Sequence, residues 1–212
     1  MSKKKVRIDL ISDVVCPWCI IGYKRLEKAL DMVKDEIEAD IHWHPFELSP
    51  DMPEGGENLR SHLANKYGTT LEESIKAREN LTHMGADLGF KFDYFDEMKM
   101  FNTFKAHQIL HFASENGKGN KLRLRLFSAF FGERKEIDQT DALVTEAVSV
   151  GLNEAESRKV LESEKYADIV RAEEKEWRTK GVQSVPTFIF NETQGVSGAY
   201  PPEDLAEILK NL

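Results

Sequence analysis

The only two cysteines of this 212-residue chain stand three apart, in Cys16-Pro17-Trp18-Cys19, where an apolar run from Val6 to Ile11 gives way to a helical pattern. A cysteine at the first turn of a helix meets unpaired backbone N–H groups and the positive end of the helix dipole, and both favour a thiolate. Cys16 is therefore the expected nucleophile. Pro17 suits the first helical position, since it has no N–H to leave unpaired and its φ is already helical. Cys19 follows one turn later on the same helix face, placed to resolve a mixed disulfide formed at Cys16. Trp18 is expected to be exposed, on a substrate-facing rim, where it brings no charge of the kind a histidine would supply.

Two other readings of the pair meet specific obstacles. A closed zinc site needs four ligands, and there is no second cysteine pair; His42 and His44 would have to complete the set from a strand-like run, without the spacing of helical histidine ligands. A purely structural disulfide across so short a loop would stabilise little.

The rest of the composition fits an enzyme with a real core. Lysine and arginine total 29 and aspartate and glutamate 37, a net charge of −8 that argues against nucleic acid or anionic membrane as the principal partner. The densest basic patch, Lys121, Arg123 and Arg125, reads as a solvated helix face. Met1-Ser2-Lys3-Lys4-Lys5 resembles the start of an export signal, but Arg7 and Asp9 interrupt the apolar stretch that should follow. No apolar run approaches the ~20 residues that span a bilayer. A cytoplasmic location is expected, and there a paired cysteine motif is more often catalytic than structural.

The order of elements divides the chain. Val6, Ile8 and Leu10 alternate with Arg7 and Asp9; Ile20, Ile21, Leu26, Leu30 and Val33 recur at helical spacing; Ile41 to His44 resumes a strand. This predicts a βαβ unit with the cysteines at its first strand-to-helix turn, the sheet edge where α/β folds place their chemistry. Pro50, Pro53, Gly55 and Gly56 then break the pattern, and helices follow over about Asn58–Tyr67, Leu71–Leu88, Asn102–Asn116, Lys121–Phe131, Asp141–Val150, Asn153–Leu161 and Lys165–Lys180. Phe188 to Phe190 reads as a buried strand, Val196-Ser197 as its hairpin partner, and Pro202 to Leu212 as a final helix. The expected architecture is α/β, with residues 1–50 and 165–212 forming one discontinuous domain and 51–164 an all-helical insertion. The stretch Phe90, Phe92, Tyr94, Phe95, Met98, Met100 and Phe101 suits either core packing or the lining of an apolar groove.

The Cys-Pro-Xaa-Cys turn, the Val185-Pro186-Thr187 loop before a strand, and the helical insertion between them resemble the thioredoxin fold in its DsbA-like form. Ser12 to Cys19 followed by Gly22, then Trp43-His44-Pro45-Phe46-Glu47-Leu48 and Asn102-Thr103-Phe104-Lys105-Ala106-His107, resemble the FrnE-type branch of that family, cytosolic dithiol oxidoreductases or isomerases. The resemblance implies a cis Val185–Pro186 bond beside the redox pair, with the backbone at Val185 pairing with a bound substrate. It also implies that Asn102 and His107 belong to the substrate-binding residues, His107 lining the pocket or tuning Cys16, against the plainer role of a packed histidine. Trp18 in place of a histidine favours a potential between about −270 mV, as in thioredoxin, and about −120 mV, as in DsbA.

Three functions follow as expectations. The first is thiol-disulfide exchange on a protein or small-molecule thiol or disulfide, with Cys16 nucleophile and Cys19 resolving, a redox-active Cys16–Cys19 disulfide as the only redox group, no metal, and glutathione as an alternative co-substrate. The second is a glutathione-dependent transferase or isomerase of the kappa or 2-hydroxychromene-2-carboxylate type, which needs no second cysteine. The third is a chaperone-like protein that binds apolar clients. Residue types leave the oligomeric state open.

Overall fold

The computed structural model describes residues 3–212. Met1 and Ser2, part of the basic start weighed above as an export signal, lie outside them. Two compact units emerge: one runs to Phe46 and resumes at Glu173, and the other takes Glu47–Ala172.

The first unit is built on a four-stranded sheet in the order β2-β1-β5-β6, from β1 (Lys4–Ser12), β2 (Ile37–Pro45), β5 (Thr187–Phe190) and β6 (Gln194–Ser197). β1 runs parallel to β2, which requires the crossover helix α1 (Pro17–Met32), and antiparallel to β5, which forms a hairpin with β6. Leu10 on the central strand pairs with Trp43 on one side and Phe188 on the other. Helix α9 (Pro202–Asn211) packs on α1, and α1 turns Ile20, Ile21, Leu26 and Ala29 inward.

Alternation along β1 suggests a wet face at Arg7 and Asp9, yet Asp9 is fully buried together with Val6, Ile8, Leu10 and Ile11. Its carboxylate is compensated on both oxygens. Arg7 donates to it from Nε at 2.9 Å and from Nη2 at 2.7 Å. His44 Nε2 on β2 lies 2.8 Å from Oδ1. The His44 ring in turn packs on Trp177 at 4.6 Å. Burial opposes ionisation of Asp9, but the hydrogen bonds from Arg7 and His44 outweigh it and hold the carboxyl below its ordinary range. Because the folded value lies below the unfolded one, the unfolded chain takes up the proton first. The associated stability is complete above about pH 4 and is lost as pH falls through the folded value. Asp9→Asn is expected to cost about 1.5–3 kcal/mol at neutral pH and to flatten the acid limb of stability; urea midpoints that fall in parallel for both proteins under acid would remove this assignment.

The second unit is helical apart from a short antiparallel ribbon, β3 (Glu57–Asn58) with β4 (Lys99–Met100). Its helices are α2 (Leu59–Tyr67), α3 (Leu71–Asp87), α4 (Phe104–Glu115), α5 (Gly119–Phe127), α6 (Thr140–Ser149) and α7 (Glu154–Glu162); α8 (Ala167–Thr179) begins in it and leads back to the first. Local rules account for several boundaries. Asn58 accepts from the Ser61 N–H to start α2, and Gly68 ends that helix in the left-handed region. Thr70 with Glu73 forms a reciprocal capping box on α3. After Phe127 the helix does not run on as α: Ser128–Gly132 forms a single π turn. The aromatic and methionine stretch resolves mainly as core, with Phe90, Phe92, Met98, Met100 and Phe101 buried.

The basic patch departs from expectation. Only Lys121 is a solvated side chain; Arg123 is 4% exposed, and Arg125 binds Glu133 and the buried Glu146, which also accepts from Lys135 at 2.6 Å. Residues two apart on a helix do not share a face, so three alternate cations could not form one stripe. The contact with Arg125 draws Glu133 down to about 2.

Candidate active site

The strand-to-helix turn after β1 puts both cysteines at the start of α1. Cys16 is the N-cap, in extended conformation, Pro17 is the first helical residue, and the Cys19 N–H donates to the Cys16 carbonyl at 3.1 Å. The Cys16 N–H in turn donates to the Asp13 carbonyl at 3.1 Å, closing the turn that carries the buried Val14 and Val15. Both cysteines are free thiols. Cys16 is 3% exposed and Cys19 fully buried, whereas Trp18 between them is 45% exposed and Pro17 half-buried.

The loop before β5 completes the site. The Val185–Pro186 peptide bond is cis, the isomer the family resemblance implies. The Cys16 thiol reaches the Val185 carbonyl at 3.7 Å, a sulfur hydrogen bond across 169 positions of sequence. Three bonds fix the loop: Thr187 Oγ1 donates to the Ser184 carbonyl at 2.7 Å and meets Ser197 Oγ at 2.7 Å, and the Gly198 N–H donates to the Pro186 carbonyl at 2.8 Å. Gly22 explains how α1 lies so near. A Cβ there would stand 3.1 Å from Pro186 Cγ and 3.2 Å from Phe188 Cζ. Both separations are tighter than side chains normally pack.

The inner thiol is held protonated. Burial pushes the Cys19 thiol well above its ordinary range, the neighbouring Cys16 pushes it further, and the Asp13 backbone N–H acts weakly the other way. The Asp13 carboxylate is itself fully buried and also disfavours a Cys19 thiolate. In the sequence Asp13 is marked only as an acidic side chain in the apolar run just before the cysteines.

Cys16, Pro17, Trp18, Cys19, Val185 and Pro186 all belong to the first unit. Asn102 and His107 belong to the second. There the Asn102 side chain accepts from the Phe104 N–H at 2.9 Å, helping to start α4, and donates to the Pro50 carbonyl at 2.9 Å. His107 is buried on the first turn of α4, its N–H bonded to the Thr103 carbonyl at 2.9 Å. Among the described residues no helix is long and apolar enough to cross a membrane.

Comparison with known proteins agrees with this geometry. The sequence is 32% identical over 189 residues to the uncharacterized protein YwbO of Bacillus subtilis, covering 89% of this chain and 88% of that one. The crystal structure of a probable DsbA oxidoreductase from Streptomyces coelicolor superposes with a TM-score of 0.91 at 33% identity, over 97% of this chain and 89% of that one. The cytosolic disulfide reductase DsbM of Pseudomonas aeruginosa, solved with GSH, shares the fold at a TM-score of 0.65 and 16% identity, over 97% of this chain and 98% of that one. With residues 7–210 also matching the family as a whole, the chain belongs to the DSBA-like thioredoxin domain family.

Proposed function

We propose that this chain catalyses thiol-disulfide exchange through Cys16 and Cys19. The observation that carries the reading is the asymmetry of the pair: Cys16 sits at a helix N-cap, within reach of the Val185 carbonyl, while Cys19 lies fully buried with its thiol held in the protonated form. Such a pair has one sulfur for outside chemistry and one reserved for the second step.

In the reducing direction the Cys16 thiolate attacks one sulfur of a substrate disulfide, and the other sulfur leaves as a thiolate and takes up a proton. Cys19 then loses its proton and attacks Cys16 Sγ, releasing the second substrate thiol and leaving a Cys16–Cys19 disulfide; the substrate has gained two electrons and two protons. The oxidising direction is the reverse. Asp13 is the buried carboxylate whose charge bears on Cys19. Trp18 and Pro17 form the rim, and the Val185–Pro186 backbone is the surface a substrate strand would lie against. Asn102 and His107 enter through the family resemblance alone.

The dithiol is the redox group in this reading, with no further cofactor or metal. The GSH in the DsbM structure supports glutathione as one small thiol of the right class, and the FrnE-type resemblance supports a cytoplasmic setting. The test is a trap. Cys19→Ser incubated with glutathione disulfide, and separately with a disulfide-bonded peptide, should hold a mixed disulfide on Cys16 by intact mass and peptide mapping, whereas the parent chain should release it as its own disulfide. Adducts equally long-lived on both proteins would remove Cys19 from the mechanism.

A further inference from the structure

A second cluster lies inside the helical unit and takes no part in thiol chemistry. A cleft of about 350 Å³ is lined by Ser49, Met52, Pro53, Glu57, His62 and Lys66 among others. His62, on the first turn of α2 and with a side chain only 15% exposed, bridges two partners: Nε2 lies 3.2 Å from Ser49 Oγ and Nδ1 lies 3.3 Å from Glu57 Oε2. Hydroxyl, imidazole and carboxylate therefore stand in line. With the ring proton on Nδ1, directed at Glu57, Nε2 is left as acceptor for the Ser49 O–H, the tautomer a general base requires. Both separations sit at the long end for such a relay, as is common before a substrate draws it together.

The surroundings supply the other requirements. Lys66, one turn beyond His62, places its ammonium 3.5 Å from Ser49 Oγ while donating to the Leu48 carbonyl at 2.8 Å, so a positive charge is fixed beside the hydroxyl. The loop bearing Ser49 is held at several points: the Met52 N–H donates to the Ser49 carbonyl at 3.1 Å, the Met52 side chain is buried, and Asn102 grips the Pro50 carbonyl at 2.9 Å. A nucleophile on a braced loop keeps its geometry. The cleft volume falls at the small end of the range for ligand sites.

We propose that Ser49, His62 and Glu57 form a second, redox-independent site that transfers the acyl group of short-chain esters, with Lys66 facing the oxyanion. Ser49 Oγ bonds to the ester carbonyl carbon as its proton passes to His62 Nε2, and the negative charge on the carbonyl oxygen is met by the Lys66 ammonium. The carbon–oxygen bond to the leaving group breaks, and His62 returns the proton to the departing alkoxide. Water, deprotonated by His62 in the same way, then hydrolyses the acyl-serine, releasing a carboxylic acid and restoring Ser49. No group is oxidised or reduced, and water is the only co-reactant.

The test uses the full chain carrying Cys16→Ser and Cys19→Ser, so that no thiol contributes. A fluorophosphonate probe, which phosphonylates an activated serine by loss of fluoride, should place one adduct on Ser49 by intact mass and peptide mapping. The labelling rate should fall about 10²-fold or more in His62→Asn, the order expected when a general base is lost. It should fall less in Glu57→Gln, a half-exposed position, and circular dichroism of that variant should match its parent. Hydrolysis of p-nitrophenyl acetate should fall in parallel in Ser49→Ala. An unlabelled Ser49, or labelling that is as fast in His62→Asn as in its parent, overturns the proposal and leaves the trio as a loop brace.

Discussion

Cys16→Ser is expected to bring turnover of a dithiol or disulfide substrate down by about 10³-fold or more, to the uncatalysed background, because the nucleophile itself is removed. The same asymmetry has a milder chemical signature. In the reduced native chain, iodoacetamide at neutral pH should label Cys16 and spare Cys19, whose thiol is buried and held protonated. In urea both should react. The sign for pH follows: with its pKa raised above the ordinary ~8.5 of a thiol, Cys19 attacks faster as pH rises, so release of a Cys16 mixed disulfide should accelerate through the alkaline range. Turnover that survives Cys16→Ser, or preferential labelling of Cys19, would refute the assignment of roles.

Phe131→Ala should produce the largest loss of stability. Phe131 is 2% exposed at the end of the π turn, and its ring meets Phe130 at 4.7 Å, Phe92 at 5.0 Å, Tyr94 at 6.2 Å, Phe90 at 6.4 Å and Phe127 at 6.5 Å, mostly edge to face. Truncation removes the transfer term of a buried ring and leaves a cavity that rings fixed by one another cannot close. About 3–5 kcal/mol is the expected cost. Phe131→Leu, which retains most of the volume, should lose less than about 1.5 kcal/mol. The measurement is the urea midpoint followed by far-ultraviolet circular dichroism; a cost for alanine below about 1 kcal/mol would mean that the cluster repacks freely.

Much of the fold was legible because the signals are local. Pro17 at a first helical position, the helical spacing of Ile20, Ile21, Leu26 and Leu30, and the Gly68 stop each act within one or two turns. The capping box of Thr70 and Glu73 is just as local, although it was not singled out from the sequence. Asp9 was not: strand alternation placed it with the polar face, and only pairing to β2 and the packing of His44 on Trp177 bury it with compensation from Arg7 and His44. Arg123 and Arg125 were misread as a solvated stripe because partners such as Glu146, distant in sequence, decide whether a cation is buried or paired. The alignment of Ser49, Glu57 and His62 has no sequence motif at all; a proline-braced loop, a short ribbon and the first turn of α2 bring the three together.

By itself the sequence determined that a cysteine pair starts the first helix of an α/β unit, because helix starts, apolar periods and proline positions are set by neighbours along the chain. The tertiary structure decided how each thiol is placed. Only when α1, closed down by Gly22, meets the loop at Pro186 does Cys16 gain the Val185 carbonyl, and it is burial in three dimensions that lifts the Cys19 thiol well above its ordinary range.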